Sequence, residues 1–146
     1  DIGGFTADYL MMKYGAADLS VCDSLENGVI LLYNKIRSKV SAELDLLLEE
    51  SDIDAILLKQ KINYGAEIVQ MVEQEAQKFI NDLFSTLRER MLDLRTCTVV
   101  FVGGGAILLR QQIERSGKVG DFLFVEDINA NAKGYEFLYQ LEKAGR

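Results

Sequence analysis

The sequence feature that most constrains the fold is a short apolar run that ends in three consecutive glycines. Residues 99–102 read VVFV, and an uncharged run of β-branched and aromatic residues predicts a strand that is buried on both faces. After the glycines at 103–105 the chain resumes as a predicted helix over 106–115, with Gly117 closing its carboxyl end. A strand, a glycine turn and a helix in this order are typical of an α/β layered protein.

The first quarter of the sequence predicts a hairpin followed by a helical region. Two strand-like runs flank the connection Tyr14–Ala17, and Leu19, Val21 and Asp23 share one face of the second strand. The predicted helix over 28–40 begins after this hairpin. We expect Ser24 or Asn27 to cap this helix. Two short helical segments follow, and we expect them to open at Ser41 and Ser51.

The longest periodic segment predicts an amphipathic helix over 66–94. A further strand is predicted over 121–127, and a final helix follows it and ends at Gly145. The residues of the predicted apolar stripe of the long helix are Ile68, Val72, Ala76, Phe79, Leu83, Leu87 and Met91.

Composition and charge exclude several function classes. The chain has 146 residues, of which 49% are hydrophobic and 27% charged, so it can bury the core of one domain or of one compact half of a larger protein. A net charge of −7 without any histidine argues against direct binding to a nucleic-acid backbone. The apolar runs fall well short of the ~20 residues that cross a bilayer, so no membrane partner is expected.

Cys22 and Cys97 both lie in strand-like apolar stretches. This placement predicts buried free thiols rather than a disulfide, and therefore a reducing, cytoplasmic compartment. With neither histidine nor a cysteine cluster, a structural zinc site is not expected. A hard-cation site built from a carboxylate and nucleotide phosphates stays open.

The stretch DIGGFT is the first of two glycine turns that look suited to chemistry. Gly3 and Gly4 let backbone N–H groups approach an anion without hindrance from a Cβ, and Thr6 adds a hydroxyl. Asp1 stands where an incoming strand would end, so its carboxylate could hold a hydrated magnesium ion beside phosphates. The alternative is an ordinary hairpin in which the glycines only supply positive φ.

The second turn, VGGGA, stands between a strand and a helix. Exposed N–H groups and the positive end of a helix suit a phosphate or a nucleotide ring there. The dinucleotide fingerprint G-x-G-x-x-G is incomplete, because Leu108 occupies its third glycine position and no clear second strand precedes Asp121. In the other interpretation, the glycines only permit close packing between strand and helix.

Together the two turns resemble the C-terminal half of the actin-like ATPase superfamily. DIGGFTAD at 1–8 is similar to its second phosphate loop, and VFVGGGA at 100–106 is similar to its adenosine motif. ENGVILLYNKI and INANAKGYEFL resemble the bacterial plasmid-segregation actins of the ParM/StbA group. The resemblance covers nearly the whole chain. It implies an α/β, ribonuclease-H-like fold in which helices flank a mixed sheet, with a small helical insertion at 27–64.

The resemblance also implies ATP or ADP with Mg²⁺ as the bound group, and a role for each turn. Asp1 would be the catalytic residue that positions magnesium, through water, and the attacking water. Residues 1–26 and 65–146 would form the inner, nucleotide-facing subdomain, and the insertion would form the outer one. The implied binding residues are Gly3, Gly4 and Thr6 for the phosphates, and Gly103, Gly104 and Gly105 for the adenosine.

For the whole protein the resemblance implies an ATPase that self-associates into nucleotide-controlled filaments for plasmid or DNA segregation, with a DNA-binding adaptor protein as partner. The first phosphate loop and the strand that leads into Asp1 are not among the 146 residues, so an N-terminal half is the expected partner and the chain alone is expected to be inactive. Two other functions stay open: a kinase for a sugar or a carboxylic acid, and a non-catalytic interaction module. The short acidic insertion favours the actin branch over the kinases.

Overall fold

The structure is a computed structural model that describes residues 1–127 and 129–144. Its elements confirm the predicted α/β order, with an antiparallel pair β1–β2 and a parallel pair β3–β4. In chain order the elements are β1 (Ala7–Lys13), β2 (Ala16–Leu25), α1 (Val29–Leu44), α2 (Glu50–Leu57), α3 (Ala66–Glu89), β3 (Val99–Phe101), α4 (Gly104–Leu108), α5 (Arg110–Arg115), β4 (Phe122–Phe124) and α6 (Ala130–Ala144).

The hairpin β1–β2 forms as predicted, with a tighter connection. Tyr14 and Gly15 make a two-residue turn, and both have positive φ (52° and 79°), the backbone that a close hairpin requires. The predicted inner face of β2 is wrong at Leu19, which is 76% exposed. A register shift between Leu10 and Met11 breaks the alternation of the strands at this point.

Helix α1 is longer than predicted and begins without a side-chain cap. Gly28 is its N-cap residue, so the predicted caps Ser24 and Asn27 are wrong. The segment 41–50 that Ser41 was predicted to open is no separate helix: residues 41–44 form the last turn of α1, Asp45 follows in the left-handed conformation, and residues 45–49 are not helical. Helix α2 is capped by Glu49 in a reciprocal arrangement with Asp52, so the predicted opening residue, Ser51, lies inside it.

Helix α3 is the centre of the core, and α1, α2 and α5 all pack on it. Its predicted stripe is confirmed from Val72 to Leu87, where the apolar positions are buried. Met91 does not belong to the stripe: the helix ends at Glu89, and Met91 is 92% exposed with a φ of 65°.

The strand before the glycines is buried on one face only. Phe101 is buried, whereas Val100 is 52% exposed, so the prediction of burial on both faces is wrong at Val100. Cys22 also lies on the outer face of its strand, opposite Leu10, and is exposed, so the prediction of two buried thiols is wrong for it. Cys97 is half-buried, and both thiols are free.

The chain after the glycines forms two short helices rather than one. Leu109 separates α4 from α5, because its backbone leaves helical geometry (φ −98°, ψ 13°) while its side chain is fully buried. The predicted last helix is present as α6, and its predicted end, Gly145, lies outside the described residues. In the described part of the chain, no helix has the length and apolar character of a membrane span.

Candidate functional site

The two glycine turns lie side by side in the structure and are joined through Ile2. The N–H of Ile2 donates to the carbonyl oxygen of Val102 (3.0 Å), and the carbonyl oxygen of Ile2 accepts from the N–H of Gly105 (3.0 Å). Ile2 also forms a bridge with Ala7, the first residue of β1, and its side chain is buried. One residue therefore ties the first turn to the second.

The first turn, residues 3–6, directs carbonyl groups toward the start of α1. The N–H of Gly3 donates to the carbonyl oxygen of Thr6 (2.8 Å), which closes the turn. Helix α1 thus receives its cap from the backbone of the turn, which supplies acceptors for N–H groups that a helix start leaves unsatisfied. The three bonds run from Gly28 to Phe5 (3.0 Å), from Val29 to Gly3 (3.1 Å) and from Ile30 to Gly4 (3.0 Å).

The N–H groups of the same turn remain available. Those of Gly4, Phe5 and Thr6 donate to no group of the described residues, and Gly4 and Phe5 are exposed. Successive free N–H groups form a concave donor surface that suits an anion such as a phosphate. Gly3 differs from the prediction in one respect, because its own N–H is used to close the turn.

Gly28 makes the contact between α1 and the turn possible, although the sequence analysis did not single it out. A Cβ on Gly28 would overlap the carbonyl group of Gly4 and the carbonyl carbon of Phe5. Only a residue without a side chain allows so close an approach of two backbones. The available signal was the stretch ENG directly before the predicted helix, which we interpreted as a side-chain cap on Asn27.

Asp1 lies where the two turns meet. Its amino group donates to the carbonyl oxygen of Asp8, and the N–H of Asp8 donates back to the carbonyl oxygen of Asp1, both at 2.8 Å. The carboxylate of Asp1 lies against Gly103 and accepts a hydrogen bond from Nδ2 of Asn131 in α6. The contact with Asn131 depends on the return of α6 to the site, which the sequence pattern does not reveal.

Asp8 is a second carboxylate beside the first turn. The hydroxyl of Thr6 donates to Oδ2 of Asp8 (3.1 Å), and the hydroxyl of Ser24 donates to Oδ1. Two hydroxyl groups therefore fix this carboxylate, which is exposed. If Thr6 is to hold a phosphate, its hydroxyl must exchange Asp8 for the phosphate oxygen.

The three glycines of the second turn have different surroundings. A Cβ on Gly103, whose φ is 95°, would overlap the carboxylate of Asp1. A Cβ on Gly105 would lie 2.7 Å from the carbonyl oxygen of Ile2 and 2.8 Å from Cγ1 of Val29. A Cβ on Gly104 would meet nothing within 4 Å, and the residue is exposed. Packing therefore requires glycine at two of the three positions and leaves Gly104 open to solvent.

The candidate site fits a magnesium ion only if phosphates and water supply most of its ligands. Within residues 1–127 and 129–144, no three His, Cys, Asp or Glu side chains lie close enough to hold a metal ion among themselves. A magnesium ion beside Asp1 would take its oxygen ligands from phosphates and water, and the carboxylate of Asp1 would hold it through one of these waters. This coordination is usual for magnesium in nucleotide sites.

The structure therefore brings every predicted site residue to one place. Asp1 and the first turn lie against the second turn, and the contact is made through Ile2. The residues that the sequence analysis missed are Asp8, Gly28 and Asn131, which contact the predicted ones.

Comparison with known proteins gives the family. Residues 1–115 match the model of a family described as archaeal actin homologue MreB-like, C-terminal. The archaeal actin homologue Ta0583 has a similar structure, with a TM-score of 0.71 and 21% identity over 96% of this chain and 46% of that chain. Its complex with ADP gives a TM-score of 0.70 at 20% identity, over 96% of this chain and 48% of that one.

ParM of Bacillus thuringiensis, solved with ADP, is also similar. The TM-score is 0.63 and the identity 14%, over 98% of this chain and 46% of that chain. This likeness confirms the predicted actin-like, ribonuclease-H-like fold. No curated protein sequence matches the chain.

The matches to solved structures cover only part of those proteins. The chain spans about half the length of the solved structures it resembles. The family match covers most of the chain and names a C-terminal domain. The chain therefore belongs to the family of archaeal MreB-like actin homologues, in which it corresponds to the C-terminal half of an actin-like protein.

Proposed function

We propose that the whole protein is an actin-like ATPase that binds ATP with magnesium in a cleft between this half and an N-terminal half. The observation that carries the proposal is the meeting of two glycine turns at Asp1, with free N–H groups on one turn and an open glycine on the other. Solved relatives with ADP support the choice of nucleotide, since both the Ta0583 and the ParM structures were obtained with it.

In this proposal the first turn holds the β- and γ-phosphates. The free N–H groups of Gly4, Phe5 and Thr6 supply the donors, and the hydroxyl of Thr6 joins them when it leaves Asp8. Asp1 positions the magnesium ion through water, and the attacking water with it. Magnesium held there would supply neutralisation of the phosphate charge.

The second turn takes the adenosine side of the nucleotide. Gly104 presents bare backbone to solvent, which allows a ring or the α-phosphate to approach the main chain. Gly103 and Gly105 hold this surface against Ile2 and Asp1 through their close packing. The adenosine role of the three glycines thus divides into one contact position and two supporting positions.

The proposal extends to assembly. Half of the phosphate clamp would come from the N-terminal half, and nucleotide state would control filament formation and, through an adaptor protein, the movement of plasmid or other DNA in the cytoplasm. Residues 27–64 would form the outer subdomain, and residues 1–26 with 65–146 the inner one. The closest competitor is a small-molecule kinase; the short insertion favours the filament-forming branch.

The test uses the full-length protein. Light scattering with ATP and magnesium should rise as filaments form, whereas release of ADP that depends on an added sugar or carboxylic acid would establish a kinase instead. A folded protein that neither binds nor hydrolyses ATP would be a non-catalytic interaction module, and the proposal would be wrong.

The role of Asp1 has its own test in the same protein. Asp1→Ala should slow ATP hydrolysis at least tenfold more than it weakens ATP binding, because a group that positions the metal and the water acts mainly on the transition state. Filaments should still form with ATP but should disassemble slowly. Asp18→Ala is the matched control, since Asp18 lies on the hairpin and pairs with Lys13. Equal hydrolysis rates in the Asp1 variant and the unmodified protein would remove Asp1 from the mechanism.

A further inference from the structure

The two oxygens of the Asp1 carboxylate have different neighbours. Oδ1 lies so close to Gly103 that a Cβ on this glycine would overlap it. Oδ2 accepts a hydrogen bond from Nδ2 of Asn131, the second residue of α6. The terminal torsion of an aspartate has a broad energy minimum, so the backbone alone does not fix the plane of its carboxylate. In this structure, a contact on one oxygen and a hydrogen bond on the other fix that plane.

Within the described residues, the bond to Asp1 is the only hydrogen bond or ion pair that joins α6 to an earlier element. The other polar contacts of α6 stay within residues 127–144, for example those of Lys133 with Asp127 and of Gln140 with Glu136. No residue of α6 is buried. Packing of α6 on the core therefore does not account for the contact, which points to a function at the carboxylate itself.

The donor is neutral, which suits a carboxylate that has to attract a cation. An ionised carboxylate has about four acceptor positions on its two oxygens, and one amide N–H uses one of them. A lysine or arginine at position 131 would instead form a charge-assisted pair with Asp1 and would compete with magnesium. None of the ion pairs of the described residues involves Asp1. Asn131 can therefore orient the charge of Asp1 without cancelling it.

We propose that Asn131 is a positioning residue that holds the carboxylate of Asp1 in one orientation before the nucleotide binds. The proposal rests on the proposed function, because it gives Asn131 a part in ATP hydrolysis by the whole protein. Asn131 contacts neither the phosphates nor the metal ion in this scheme and acts only through Asp1. A carboxylate that a neighbouring hydrogen bond holds in place loses less rate to misplacement than one that must find its orientation in each turnover.

A purely structural role of Asn131 has different consequences. If the amide only fastens α6 to the rest of the molecule, its loss loosens α6 and leaves the hydrolysis rate unchanged. If the amide positions Asp1, its loss lowers the rate, and this effect disappears once the carboxylate of Asp1 has been removed. The kinetics of single and double variants of the full-length protein therefore separate the two roles.

Asn131→Ala should lower kcat for ATP about tenfold with KM nearly unchanged, since a displacement of about 1 Å in an active site can cost roughly 100-fold. Asn131→Asp keeps the size of the side chain but places a second negative charge against Asp1, and it should lower kcat at least as far. Gln140→Ala is the matched control, because it removes a side-chain amide of the same helix whose partner is Glu136. Both constants should stay unchanged in this control. A kcat at the unmodified level in Asn131→Ala would overturn the proposal.

The double variant tests whether Asn131 acts through Asp1. Asp1→Ala and the combination of Asp1→Ala with Asn131→Ala should have the same kcat, because the donor has no carboxylate left to orient. A further loss of about tenfold in the double variant would mean that Asn131 acts on another group. The proposal would then be wrong.

A measurement without nucleotide shows whether the hydrogen bond forms in the full-length protein. With isotope-labelled asparagine, the side-chain amide signal of Asn131 in nuclear magnetic resonance spectra should shift in Asp1→Ala, whereas the signal of Asn129 should not. An unchanged Asn131 signal would overturn this proposal and leave the ATPase proposal standing. A signal that shifts, in a protein that hydrolyses no ATP, would overturn the proposed function and with it the kinetic role of Asn131.

Discussion

Three adjacent glycines have different physical reasons to be glycine. Gly103 and Gly105 have no room for a side chain, because Asp1 and Ile2 fill the space that a Cβ would need. Gly104 has open space around it. The sequence alone does not distinguish the three glycines. The structure shows that two of them are required by close packing and that the third faces solvent.

Gly104→Val tests this separation. In the full-length protein the branched side chain would stand where a nucleotide ring or α-phosphate approaches, so affinity for ATP should fall at least tenfold, about 1.4 kcal/mol. The urea midpoint should stay unchanged, because nothing lies within 4 Å of the added Cβ. Gly105→Val should instead destabilise the fold by roughly 1–3 kcal/mol, the usual effect of overpacking. Fluorescence titration and denaturant unfolding measure the two effects; unchanged affinity in the Gly104 variant would exclude the adenosine role.

Gly28 and Gly65 form a second informative pair, because both are N-cap residues of helices. Gly28→Ala should destabilise the protein by more than about 2 kcal/mol, since its Cβ would overlap the backbone of Gly4. Gly65→Ala should change the free energy of unfolding by less than about 1 kcal/mol, since nothing lies near the added carbon. Urea unfolding of both variants checks the difference. Equal losses of stability in the two variants would mean that the contact between the first turn and α1 contributes little to the free energy of unfolding.

At the scale of elements, periodicity predicted α3 well because one wide apolar stripe decides both its structure and its burial. The end of the helix was missed by five residues, from Leu94 back to Glu89, because the apolar residues Met91, Leu92 and Leu94 continue the spacing after the backbone has turned. Leu92 and Leu94 are indeed buried, but from a loop.

The start of α1 was missed for another reason. Its cap comes from the backbone of residues 3–6, far away in sequence, and residue types near Gly28 carry no trace of such a partner. The glycine turns could be proposed as a candidate site from the sequence alone, because glycine pairs are visible in a sequence. Asp8 and Asn131 were missed because their roles arise from pairing and from the return of α6.

The revised end of α3 leads to a stability prediction. Ile80→Ala should cost about 2–5 kcal/mol, because Ile80 is fully buried in the middle of the helix. Met91→Ala should stay within about 0.5 kcal/mol, since Met91 is exposed beyond the helix end. Chemical denaturation followed by circular dichroism measures both. A large loss of stability in the Met91 variant would instead support the longer helix, over 66–94, that the sequence predicts.

At the scale of the whole molecule, the chain would supply one side of the proposed nucleotide site. Its turns and Asp1 supply donors and a carboxylate, but positioning and electrostatic preorganisation in phosphoryl transfer require groups on both sides of the nucleotide. Solved relatives are about twice as long as the matched region. The other side of the proposed cleft would therefore come from the remaining half.

Purified residues 1–146 should accordingly show no measurable ATP turnover and only weak binding of ATP. A coupled assay for phosphate release and isothermal titration with ATP and magnesium check the two expectations. Addition of the remaining half of the protein should restore turnover if the two parts assemble. Robust hydrolysis by residues 1–146 alone would contradict the proposed two-sided site.

The three hydrogen bonds between the first turn and α1 have a mechanical consequence. Helix α1 has 16 residues, so at about 1.5 Å per residue it is a rod roughly 24 Å long. A displacement of the turn that preserves those bonds moves the near end of the rod, and the stiffness of the helix carries the displacement to Leu44 at its far end. A change of a few tenths of an ångström at the phosphates would thus be transmitted to a surface far from the nucleotide, without any intervening chain of side chains.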